Sequence, residues 1–248
     1  MKRLSSRENP FVKKLLKFKE RPERFIPKAD RPEAELLVEG PRVVETALRA
    51  GVRFSTVAIT EAFASSGKYT EILDRLLAQQ TPVVVLEEKL LKQLSETVTP
   101  QGIVGIARYR LFPLENLLDT DVLVVADGIQ DPGNLGSLLR CADATGWCKV
   151  VVLKGSVNPY HPKVIRASTG SIFNLRVSIS ERESFLKYIK DRHIRLVYTS
   201  QEAERDVFSW QPHPPLAVVF GSEAHGVSEE LKRASHGSIK IPIYGKAE

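Results

Sequence analysis

Apolar residues in this chain fall alternately into short continuous runs and helical stripes. Phe11, Val12, Leu15 and Leu16 share one helical face between lysines. With Ser5-Ser-Arg-Glu8 in front, they predict a serine-capped, basic amphipathic helix. Glu35–Val38 reads as a short strand, and Gly40-Pro41 puts a proline where a helix through Val43, Val44, Ala47 and Leu48 begins. Gly51 ends that helix. Strands at Thr56–Thr60, Pro82–Leu86 and Gly102–Arg108 alternate with helices at Tyr69–Ala78 and Lys89–Glu96. The pattern predicts a small α/β layer domain over residues 1–110. Leu111–Thr120 contains a proline and follows a strand that ends in basic residues, so it reads as a linker.

A second alternation over residues 121–248 begins with Val122–Ala126, an apolar run too short to span a membrane and read as a buried strand. Asp131-Pro132-Gly133 then turns the chain, with Asn134 expected as the N-cap of a helix through Leu135, Leu138, Leu139 and Ala142 to Gly146. Lys149–Leu153, Asn174–Ile179, Arg195–Tyr198, Leu216–Phe220 and Ser238–Ile241 read as strands. Helices are predicted near Pro162–Ser168, Ser184–Asp191 and Glu229–Ala234. Strands separated by helices imply an α/β fold with a mainly parallel sheet, whose ligands gather at the carboxyl ends of the strands. Three polar loops lie at such ends: Asp127–Arg140, Thr199–Gln201 and Gly221–Gly226; the turn Pro242–Gly245 is a fourth.

Charge adds a partner to this picture. The formal charge of the 248-residue chain is +6, and residues 1–30 alone hold ten basic against four acidic residues. Clustered cations point to a polyanion, with nucleic acid favoured and a solvated surface helix as the open alternative. The absence of a secretory apolar region and of any long apolar run predicts a cytoplasmic protein away from membranes. Cys141 and Cys148 are expected to stay reduced, and the histidines lack ligand spacing, so no metal is expected. No G-x-G-x-x-G follows the Val122 strand and no P-loop occurs, which leaves the ordinary dinucleotide and ATPase sites unsupported.

Taken together, DPGNLGSLLRCADATG, GSEAHGVS and IPIYGKAE, in that order, resemble the motifs of the SpoU (TrmH-like) family of RNA ribose 2′-O-methyltransferases. KVIRASTG at Lys163–Gly170 is similar to a segment found between the first two motifs. EGPRVVETA at Glu39–Ala47 is similar to the family's L30e-like RNA substrate-binding domain. The resemblance implies a SPOUT-class α/β fold with a C-terminal trefoil knot, working as a homodimer on S-adenosyl-L-methionine. It implies catalytic roles for Asn134, Arg140 and Glu223. Cofactor contacts fall on Thr199, Gly221, Ser222 (in place of a frequent asparagine), Gly226, Ile241, Ile243 and Gly245. RNA contacts fall on Lys163 and Arg166, for which structural ion pairs are the open alternative. The basic Lys13, Lys14, Lys17 and Arg42 join them as candidates. The sequence reaches Glu248 inside the third motif, where family members continue with a closing helix, and is read as truncated there.

The residue types suit the chemistry. A ribose hydroxyl is poorly acidic, so the charge developing on its oxygen needs stabilisation, and a guanidinium keeps its proton. Arg140 is therefore assigned to the neighbouring phosphate and the nascent alkoxide, with Asn134 and Glu223 as positioning groups. The substrate expected is RNA, with 23S ribosomal RNA favoured over transfer RNA. A non-catalytic RNA-binding protein and an enzyme acting on a small nucleotide are the competing readings.

Overall fold

A computed structural model describes residues 2–4, 6–21, 25, 33–117 and 122–245. The chain divides into two compact units: residues 1–111 with 160–174, and residues 112–159 with 175–248.

The first unit is built on a mixed five-stranded sheet in the order β1 (Lys2–Leu4), β4 (Val83–Leu86), β3 (Phe54–Thr60), β5 (Ile103–Arg110), β2 (Glu33–Glu39). β1, β4 and β3 run parallel, whereas β5 is antiparallel to both β3 and β2. On one face, α1 (Pro10–Glu20) brings Val12, Leu15 and Phe18 against Leu90, Leu91 and Leu94 of α5 (Glu88–Leu94), over Leu37, Val104 and Ile106. α1 starts later than the serine pattern predicts. Asn9 is the N-cap, accepting from Phe11 N at 3.0 Å, because Pro10 has a fixed φ and no N–H to lose and so takes the first helical position. Ser6 instead accepts from Glu8 N, and Ser5 lies outside the described residues. α2 (Pro41–Arg49), α3 (Glu61–Ser65) and α4 (Thr70–Ala78) complete the layer.

Residues 160–174 carry α7 (Pro162–Ala167) and a 3₁₀ turn, Ser171–Asn174. Thr169 and Gly170 both have positive φ, and a Cβ on Gly170 would meet Thr46 Cβ at 2.9 Å, so glycine lets this turn close on α2. Tyr160 is fully buried, its ring 5.0 Å from that of Tyr109.

The second unit holds a six-stranded, wholly parallel sheet, counted over the described residues. Its order is β11 (Ser238–Ile239), β9 (Arg195–Thr199), β10 (Leu216–Gly221), β6 (Val122–Asp127), β7 (Lys149–Leu153), β8 (Arg176–Ser180). One face buries Leu123, Val125, Ala217 and Val219 under Phe185, Tyr188 and Ile189 of α8 (Arg182–Asp191) and Leu231 of α9 (Glu229–Ala234). Leu114 and Leu117 belong to the same core, on a 3₁₀ turn inside the stretch read as a linker; residues 118–120 of that stretch lie outside the described residues. The opposite face carries Val197, Leu216, Val218 and Ile239, with Trp210 packed on them.

β11 is shorter than the apolar pattern suggests. Only Ser238 and Ile239 pair with β9, and the main chain of Lys240 bonds outward instead, donating to Arg205 O and accepting from Val207 N, both at 2.9 Å. Residues 238–240 thus run between β9 and the 205–207 segment.

Burial pushes the Tyr109 phenol up to about 12 and raises Tyr160 well above its ordinary value. The native first unit accepts only their protonated forms. The stability this contributes is complete below pH 10.0, the ordinary phenol value, and is lost as pH rises towards 12. The urea midpoint of the first unit is therefore expected to hold from pH 7 to 9.5. Between pH 10 and 12 the unfolding free energy falls by up to about 1.4 kcal/mol per pH unit per tyrosine, which lowers that midpoint, and Tyr109→Phe removes one share. A midpoint that stays flat to pH 12 contradicts this assignment.

Candidate active site

The carboxyl ends of the second unit's parallel strands form one rim. Asp127 ends β6 and is paired in register with Gly221, which ends β10, while Thr199 ends β9 beside it. Asp127 is 1 % exposed, and a carboxylate there needs partners. It has two: Arg182 Nε donates to Oδ1 at 2.8 Å and Ser228 N donates to Oδ2 at 2.7 Å. Arg182 begins α8 and Ser228 caps α9, so one side chain fixes three segments that follow different strands.

From this anchor the chain turns into α6 (Pro132–Ala144). Its N-cap is Asp131, whose carboxylate accepts from Asn134 N at 2.9 Å. This corrects the expectation of Asn134 as the cap: Pro132 takes the first helical position and moves the cap one residue before it. The correction matters chemically. Asn134 sits in the first turn with its side chain free of capping duty, and its amide donates to the Glu223 carboxylate.

Glu223 rides on a loop closed by Ser222 and Gly226, which exchange backbone hydrogen bonds of 3.0 and 2.9 Å, while His225 N donates to Ser222 Oγ. The chain returns across Gly221 so closely that a Cβ there would lie 2.2 Å from Gly226 C and 2.3 Å from Val227 N. Gly226 itself has φ +65°, a backbone conformation that suits glycine. Nearby, the Thr199 hydroxyl donates to Val219 O at 3.2 Å.

Ile241, Ile243 and Gly245 follow β11 in irregular, exposed chain, with Ile241 and Ile243 about half exposed. Among the described residues, the main chain of 241–245 has no hydrogen-bond partner. Unpaired peptide groups beside apolar side chains, directly after β11, suit a flat heteroaromatic ring carrying polar edges. The residues present thus fit the adenosyl part of the expected cofactor.

Arg140 is not brought to Asn134 and Glu223. Six residues further along α6 it lies about 9 Å down the helix axis and roughly a third of a turn around. It is exposed and has no partner among the described residues. The other candidate RNA contacts lie in the first unit and differ among themselves. Lys13 pairs with Glu8, and Lys14 with Glu35 at 2.7 Å, whereas Lys17, Arg42 and Lys163 have no side-chain partner among the described residues. Arg166 stands 3.9 Å from Glu39 and 3.8 Å from Glu96. Glu39 also accepts from Ser95, Glu96 N and Thr97, which makes Arg166 part of a structural cluster. Cys141 and Cys148 are free and exposed. Among the described residues no group of three or more His, Cys, Asp or Glu could hold a metal ion.

Sequence reasoning missed Arg182 and gave Asp127 no role of its own. An aspartate ending an apolar strand was the available signal for the second, and nothing local marks the first.

Residues 121–248 match the SpoU rRNA Methylase family, and residues 9–105 match the MRM3-like substrate binding domain. The chain belongs to the SpoU rRNA methylase family. A relative from Bacillus subtilis, the 23S rRNA (guanosine(2553)-2'-O)-methyltransferase RlmP, is 27% identical over 100% of this chain and 93% of its own. The crystal structure of an RNA 2'-O ribose methyltransferase is 32% identical with a TM-score of 0.75, covering 99% of this chain and 92% of that one. The AdoMet-bound rRNA methyltransferase from Sinorhizobium meliloti superimposes with a TM-score of 0.81 at 25% identity, over 100% of this chain and 91% of that one.

Asp127→Ala leaves Arg182 and Ser228 N without their acceptor. The expected cost is about 3 kcal/mol of stability, read as a lowered urea midpoint for the second unit. An unchanged midpoint would mean that the anchor does not hold the rim.

Proposed function

We propose that the protein transfers the methyl group of S-adenosyl-L-methionine to a ribose 2′-hydroxyl of 23S ribosomal RNA. The observation that carries this reading is the contact between Asn134 and Glu223 at the rim of β6 and β10, in a member of a family whose B. subtilis relative is a 23S rRNA 2'-O-methyltransferase. The S. meliloti structure with bound AdoMet supports the cofactor.

When bound, the cofactor offers a methyl carbon on a sulfonium, and the ribose oxygen must lie in line with it. An ionised Glu223 only accepts hydrogen bonds, so Asn134 presents its NH₂ to it and keeps its amide oxygen for the substrate. The second carboxylate oxygen of Glu223 is assigned to accept the hydrogen bond of the ribose hydroxyl, orient its lone pair and take its proton as the new carbon–oxygen bond forms and the carbon–sulfur bond breaks. Arg140 is not assigned as a base, because a guanidinium keeps its proton. Exposed, and unpaired among the described residues, it is assigned to the phosphate beside the methylated ribose, where its charge also favours the developing alkoxide.

The proposal extends to a homodimer with a trefoil knot at the C-terminal end of the second unit. The family resemblance supports the homodimer, and the passage of residues 238–240 between β9 and the 205–207 segment supports the knot. Ribosomal RNA as substrate makes the cytoplasm the proposed compartment.

Mapping 2′-O-methyl sites in ribosomal and transfer RNA, from cells with and without the protein, tests the substrate. One 23S site is expected to disappear. Loss of a transfer RNA methyl group instead would move the substrate, and no loss anywhere would remove the enzymatic reading. Arg140→Lys retains the charge but not the planar fork, and is expected to lower turnover about tenfold or more, the worth of one charge-assisted hydrogen bond at roughly 1.5–3 kcal/mol. Nearly full turnover would exclude a role that depends on the fork.

A further inference from the structure

A cavity of about 680 Å³ in the first unit is lined by Arg53, Arg108 and Arg110, with Glu35, Val52 and Tyr109. None of these was singled out by the motifs. β5 is buried from Ile103 to Ala107 and then exposes Arg108 and Arg110, two residues apart and so on one face of the strand. Arg108 N donates to Arg53 O at 2.8 Å, which sets the third arginine beside them.

Among the described residues, the lining is not neutralised locally. Glu35 opposes Arg108 in the β2–β5 register, but its carboxylate is taken by Lys14 Nζ at 2.7 Å and by the Ser55 hydroxyl at 3.3 Å. Among the described residues, the three guanidinium groups have no hydrogen-bond or ion-pair partner. The tie to Glu35 also brings one face of α1 to the cavity, the face carrying Lys14, Lys17 and Arg21 at helical spacing. The whole-chain charge has the same location. Residues 1–111 contain twenty basic and fourteen acidic residues, whereas residues 112–248 contain sixteen of each.

We propose that Arg53, Arg108 and Arg110 form a phosphate-binding site for the backbone of the substrate RNA, separate from the Asn134–Glu223 rim. Guanidinium forks match phosphate oxygens bidentately, and backbone contacts of this kind set register without reading sequence. The Tyr109 ring already lies against those of Tyr160 and Phe173, at 5.0 and 6.0 Å. Phe25, the other ring in the lining, is stacked on Phe18 at 3.8 Å, so the cavity has charge to offer rather than a free stacking surface. This inference rests on the RNA reading above and assigns that substrate a second point of attachment.

The test is a fluorescence-anisotropy titration of a labelled, mixed-sequence 30-nucleotide RNA hairpin at several salt concentrations, with calorimetry of S-adenosylmethionine alongside. In the triple variant Arg53→Ala, Arg108→Ala, Arg110→Ala, affinity is expected to drop at least tenfold near 100 mM salt. The slope of log affinity against log salt is expected to fall by about 2, since each phosphate contact contributes roughly 0.7–0.9. Cofactor binding is expected to stay unchanged. The corresponding triple lysine variant keeps the charges and is expected to keep most of the slope, while Lys187→Ala with Lys190→Ala on α8 should leave both affinity and slope in place. Equal affinity and slope for the triple alanine variant and the wild type would overturn this site alone. Failure of the wild type to bind the hairpin at 20 mM salt would overturn the RNA reading itself.

Discussion

A buried carboxylate dictates the geometry of the second unit. Asp127 ends a strand with 1 % of its surface exposed, and burying a charge costs several kcal/mol unless it is paired and hydrogen-bonded. Its partners come from Arg182 at the start of α8 and from Ser228 at the cap of α9. Satisfying one charge thus pulls together the segments that follow β6, β8 and β10. Asn134 can meet Glu223 only because the loops carrying them start from this point.

The parallel sheet supplies the rest. Adjacent parallel strands end on the same side, so their following loops share one rim, and whatever chemistry the loops carry converges there. Gly221 lets the chain recross its own strand end at a distance no side chain would allow, which closes the small loop that holds Glu223 at its tip. The first unit is built differently. Its mixed sheet instead presents a basic cavity and a basic helix face, and the chain's net positive charge lies within residues 1–111. One unit is thus shaped for chemistry on a bound ligand and the other for holding a polyanion.

Much of this was legible in the sequence because the signals are local. The apolar runs of the second unit mark β6, β7, β9 and β10 to within a residue or two, and Gly51 and Gly146 stand where helices end. Caps were harder to read, because several residues nearby could serve. At both Pro10 and Pro132 the proline decided the matter by taking the first helical position, which passed the cap to Asn9 and to Asp131. Long-range pairing left no local trace at all. Arg182 is 55 residues from Asp127, and the grouping of residues 160–174 with the first unit rests on contacts such as Gly170 against Thr46. The motif order carried the catalytic candidates, whereas nothing local in the sequence marks Arg53, Arg108 and Arg110 as unpaired among the described residues.

The central claim is that Asn134 and Glu223 act as one unit on the ribose hydroxyl. A double-mutant cycle of Asn134→Ala and Glu223→Ala, read by single-turnover transfer of radiolabelled methyl from S-adenosylmethionine to 23S ribosomal RNA, tests it most directly. The account predicts strong coupling, with the double variant little slower than either single one. Rate losses that simply multiply would show that the two residues act independently, and would contradict it.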